Sequence, residues 1–91
     1  MRTIHKFRLE YVPKGVIEVT AEAQPLTVQL QRGSPHIWVL MEPAARGAEL
    51  HYWLVGTGTN YPDEAEAADY LGTFQDRGFV WHVFTQLAVL L

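Results

Sequence analysis

Cysteine is missing from this 91-residue sequence. Its absence excludes disulfides, thiolate catalysis and Cys-ligated zinc, and it suits a reducing compartment. Serine occurs only as Ser34, between Gly33 and Pro35, and lysine only as Lys6 and Lys14. No G-x-S-x-G motif surrounds Ser34, so acyl transfer and Schiff-base chemistry lack their parts, and an enzyme is not expected. No apolar run approaches the roughly 18 residues of a membrane span. The first residues carry no apolar h-region, so neither a secretory signal nor a membrane partner is expected, and the expected location is cytoplasmic. The net charge of −3 argues against general nucleic-acid binding.

What is abundant is apolar and aromatic: 48% hydrophobic and 12% aromatic residues place the chain among folded proteins. A chain of this size buries roughly 60–65% of its unfolded surface, enough for one core. Neither a repeat nor a low-complexity linker interrupts residues 1–91, which read as a single domain.

Period-2 alternation is frequent. Thr3, His5, Phe7, Leu9 and Tyr11 alternate with Lys6, Arg8 and Glu10, up to a turn at Pro13-Lys14-Gly15. Ile17 and Val19 flank Glu18; Leu26, Val28 and Leu30 alternate with Thr27, Gln29 and Gln31. After a turn at Arg32 to Pro35, the segments His36–Met41 and Leu50–Val55 are apolar on both faces, which predicts central strands covered on both sides. Tyr70–Gln75 and Phe79–Thr85 read as a hairpin about Asp76-Arg77-Gly78. Between them, Pro62 and the early acids predict one short helix near residues 62–70. The expected fold is mostly β: a small antiparallel β-sandwich or flattened barrel of about seven strands. The apolar tail Leu87-Ala88-Val89-Leu90-Leu91 either adds an edge strand to the monomer or docks on a neighbouring chain.

Charge is segregated. Residues 1–14 hold four basic side chains against Glu10, whereas residues 61–71 hold Asp63, Glu64, Glu66 and Asp69 with no base. They read as two solvated faces, or as complementary patches that steer a homo-oligomer.

The loop Gly56-Thr57-Gly58-Thr59-Asn60 is the best local candidate for ligand contact. Two glycines let the backbone approach a ligand, and hydroxyls and N–H groups can cradle an anion. It lacks the Lys of a P-loop. His36, His51 and His82 lie on three predicted strands, where converging imidazoles would suit zinc. Their spacing is not that of a readable metal site, and His36 and His51 neighbour Trp38 and Trp53, so packing roles and no metal are expected. Glu64 and Glu66 point to different sides of a short helix, and Glu42 and Glu49 flank a loop, so no catalytic carboxylate pair is expected. The aromatic surplus, without a basic groove, reads as a core plus one protein-binding patch, to which Trp38, Trp53 and the four acids are assigned.

The blocks Thr3-Ile4-His5-Lys6-Phe7, Val16-Ile17-Glu18-Val19, Leu26-Thr27-Val28-Gln29, Ile37-Trp38-Val39-Leu40, Gly56-Thr57-Gly58, Tyr70-Leu71-Gly72-Thr73-Phe74-Gln75 and Val80-Trp81-His82-Val83-Phe84 run in order through the chain. Together they resemble a group of small phage and prophage proteins known only as a domain of unknown function. The resemblance implies phage or prophage coding, and it carries no catalytic residues or cofactor. Members often place a His after Gly58; here Thr59 and Asn60 stand there, and the tail beyond Thr85 reads as an addition.

Three functions follow as expectations. The first is a non-enzymatic binding protein that inhibits a host defence factor by protein–protein contact. The second is a sponge for a nucleotide signal, held by the Gly56–Asn60 loop between subunits. The third is a structural homo-oligomer joined through the tail.

Overall fold

The computed structural model describes residues 1–90. Seven strands account for most of them: β1 (Thr3–Arg8), β2 (Lys14–Thr20), β3 (Gln24–Gln31), β4 (Ser34–Met41), β5 (Gly47–Gly56), β6 (Asp69–Asp76) and β7 (Phe79–Val89). They form two antiparallel sheets, β1-β4-β3 and β2-β5-β7-β6, packed as an open sandwich. The thin dimension of 16 Å is that of two sheets spaced about 10 Å apart.

Alternation explains the layers. Ile37, Val39 and Met41 of β4 face inward, and Ile17 and Val19 of β2 meet them from the other sheet with Leu50, Tyr52 and Leu54 of β5. Val83 of β7 and Phe74 of β6 complete this core. β3 lies over β6, where an added Cβ on Gly72 would stand 2.9 Å from Val28 Cγ1. Pro25 is tolerated because β3 is an edge strand, with a register shift between Pro25 and Thr27.

Both hairpins are tighter than the sequence suggested. Only Arg32 and Gly33 separate β3 from β4, and only Arg77 and Gly78 separate β6 from β7; all four have positive φ, as a type I′ turn requires.

Three expectations need correction. The helix near 62–70 is only a 3-10 turn over Asp63–Ala65, because the segment lies flat on a sheet and buries a single small residue, Ala65. The double coverage expected of His36–Met41 fails, since His36, Trp38 and Leu40 remain half-exposed on the outer face; it holds for β5 only at Tyr52–Val55. The tail is no separate edge strand. Leu87, Ala88 and Val89 continue β7 and pair with Leu50, Glu49 and Ala48; Leu91 lies outside the described residues.

Candidate functional site

At one end of the sandwich lies a groove of about 640 Å³. Three pieces of chain build it: the β1–β2 connection at Tyr11–Pro13, the end of β5 with the following loop, and the β6–β7 hairpin with Phe79 and Trp81. The hairpin's two-residue turn projects Phe79 at the mouth, where it is 66% exposed. Phe79 and Trp81 are two residues apart on β7, so their rings share a face, 6.4 Å between centroids. Tyr11 approaches Trp81 at 6.0 Å and donates its hydroxyl to the Asp76 carboxylate, bracing the β1–β2 connection against the hairpin. Burial, and then the Asp76 carboxylate, push the Tyr11 phenol up to about 12.

Polar groups in the groove are few. Glu64 accepts a bond from Trp53 Nε1 at 3.3 Å, and Arg77 Nε lies 3.5 Å from Asp76 Oδ1. Two carboxylates against one guanidinium leave the lining acidic. An apolar floor with a small set of placed polar groups, at this volume, is the form of a binding site.

The Gly56–Asn60 loop contributes unequally. Gly56, Thr59 and Asn60 line the groove, whereas Thr57 bonds His82 Nε2 at 2.8 Å on the outer sheet face. The Thr57 N–H donates to Val80 O and the Thr59 N–H to Gly56 O, each at 3.1 Å. The Thr59 hydroxyl also turns back to Gly56 O, at 2.8 Å. Most of the donors expected to cradle an anion are therefore engaged within the chain. Gly58 is fixed by its positive φ of 87°.

The acidic segment crosses the outer face of the four-stranded sheet. Ala65, fully buried, joins Trp53 and Val55 in a second small core, with Ala68 and Phe84 packed against it. Tyr61 meets the Phe84 ring edge-on at 5.0 Å and donates to Ala65 O at 2.5 Å. Asp63, Glu64, Glu66 and Asp69 are exposed. Trp53 is only 2% exposed and Lys14 Nζ sits 5.3 Å over its ring, so its place in a surface patch is corrected to a buried anchor. Trp38 lies on the opposite face of the sandwich from the acids, so the expected partner-binding set splits between two faces.

The histidines divide in the same way. His36 lies on the outer face of β1-β4-β3, 6.1 Å from Trp38; His51 and His82 lie on the outer face of the other sheet. Among the described residues no group of three or more His, Asp and Glu side chains is placed to hold a metal. His82 bridges two hydroxyls, Thr57 at 2.8 Å and Thr73 at 3.0 Å, and Thr73 meets Tyr70 at 2.6 Å. Tyr11, Asp76, Phe79 and Trp81 were not legible as one site in sequence. The only signal was Phe79, an apolar residue directly after a turn, where exposure is expected.

No helix among the described residues is long and apolar enough to cross a membrane. Neither the curated proteins nor the solved structures contain a match to this chain. A family model does match, over residues 1–89, so the segment after Thr85 is part of the shared domain and not an addition to it. Matched over nearly its whole length, the chain belongs to the family described as a domain of unknown function, DUF7352.

Proposed function

We propose that this chain is a non-enzymatic binding protein, encoded by a phage or prophage, that contacts and inhibits a host defence factor in the bacterial cytoplasm. The observation that carries the reading is the groove: an apolar floor of Leu54 and Trp81, with Phe79 at its mouth and Glu64 and Asp76 at its edge. Such a site suits a partner segment that inserts an apolar or aromatic side chain beside a Lys or Arg. Aromatic anchors in a pocket supply most of the energy of protein contacts, and the acids add steering and register. A nucleotide signal is less well served, since the lining is acidic and the loop N–H groups of Thr57 and Thr59 are already bonded.

The test is capture from a bacterial host lysate on the tagged chain, with the retained protein identified and then titrated as a purified partner. Phe79→Asp and Glu64→Lys should each weaken binding at least about tenfold, the effect of roughly 1.4 kcal/mol. Arg8→Glu, on the far face, should leave it unchanged. Native mass spectrometry of the purified protein runs beside this; a retained nucleotide would sink the protein-partner reading in favour of the sponge.

A further inference from the structure

We propose that copies of this chain associate head to tail, the basic outer face of β1-β4-β3 in one copy docking on the acidic outer face of β2-β5-β7-β6 in the next. The register assigns the faces. On β1, Ile4, Lys6 and Arg8 stand outward beside Leu40, Trp38 and His36 of β4. β3 adds Thr27, Gln29 and Gln31, and no strand residue on this outer face is acidic. Its centre is a depression of about 240 Å³ between Ile4, Leu26 and Trp38. Ile4 is 59% exposed, so the strip is apolar, open and flanked by cations.

The other outer face has the opposite sign. Glu18 and Glu49 face each other directly across β2 and β5, and Asp63 and Glu66 stand on the segment that crosses the same side. Like charges directly opposite in a ladder are unfavourable. Here His51 Nε2 lies 3.4 Å from Glu49. The one lysine of this face, Lys14, is stacked over Trp53. Tyr70, 59% exposed and paired with Phe84, is its most prominent aromatic projection.

Each face therefore offers what the other lacks: a cationic rim around an apolar depression, and an anionic field around an exposed ring. Because they lie on opposite sides of one sandwich, a two-fold dimer cannot satisfy both. Contact between unlike faces leaves each copy with one free face of each kind, so assembly continues to a ring or a filament. This inference does not depend on the proposed host partner.

The experiment is light-scattering mass measurement on the full chain and on two variants. One carries Lys6→Glu with Arg8→Glu, the other Asp63→Lys with Glu66→Lys; all four side chains are exposed, and circular dichroism checks that both variants fold. The wild type should exceed a dimer at low salt, with mass rising with concentration. It should return to a monomer near 1 M salt, where the screening length is about 3 Å. Each variant alone should be monomeric, and an equimolar mixture should associate again, since the unaltered acidic face of one meets the unaltered basic face of the other and the two reversed faces are again opposite in sign. A wild type that stays monomeric, a closed dimer indifferent to both pairs of substitutions, or a mixture that stays monomeric would each overturn the proposal.

Discussion

Tyr52 shows how much one side chain does in a sandwich this thin. Its ring fills the core, and its hydroxyl accepts the Glu10 N–H at 3.0 Å, tying β5 to the β1–β2 connection. Gly15, its cross-strand neighbour, is required for that placement: a Cβ there would lie 2.2 Å from the ring. Gly15→Ala should therefore cost about 1–3 kcal/mol in urea denaturation, the usual range for overpacking. Gly72→Ala should cost less, because its 2.9 Å neighbour is the tip of Val28. Tyr11 carries a pH signature. Its phenol ordinarily loses its proton near 10.0 but holds it to about 12 in the fold. The unfolded chain thus releases this proton first, so the contribution of Tyr11 is complete below pH 10 and is lost as pH rises from 10 towards 12. Tyr11 is 44% exposed, so solvent screening keeps the effect small. Denaturation midpoints of the wild type and Tyr11→Phe should converge across that interval, and a constant gap would refute the assignment.

Among the elements, the hairpins and the end of β7 are the most testable. Arg32 and Arg77 hold φ of 52° and 50°. A left-handed conformation costs an ordinary L-residue roughly 1–2 kcal/mol, and Asn accepts it more readily. Arg32→Asn should recover part of that cost and raise the melting temperature, without touching the groove. The end of β7 bears on whether the tail joins subunits or completes the monomer. Leu87 pairs with Leu50 and packs against the main core. Ending the chain after Gln86 should lower monomer stability measurably in a chemical melt. Loss of assembly with unchanged monomer stability would restore the tail as an intersubunit joint. The 3-10 turn is a cover and not a helix in its own right. Ala65→Asp should strip that cover from Trp53, seen as a red-shifted tryptophan emission with the main core retained.

For the molecule as a whole, the arrangement of charge matters more than its sum. A net charge of −3 conceals a sandwich with cations on one outer face and acids on the other. Association through those faces should weaken with salt, as contacts between solvated charges do. Binding of a partner segment in the groove should depend chiefly on Phe79 and less on salt, because its floor is apolar. Measuring both equilibria across ionic strength separates the two surfaces.

The sequence by itself determined the β class and nearly every strand, because alternation along a strand is a local property that burial of one face imposes. It also marked the acidic segment and the glycine loop. Other features were set only by the tertiary structure. Trp38 and Trp53 have similar local contexts, yet one lies on an open face and the other beneath a cover, because coverage depends on where residues 57–68 travel. His36 and His51 were separated by the assignment of their strands to different sheets. The groove unites Tyr11 with Asp76 and Trp81, far from it in the chain, because two connections and a hairpin end at the same edge of the sandwich. Periodicity records which side of a strand is buried, but not which strands are neighbours. That choice rests on long-range packing, and it places the charged faces and the candidate site.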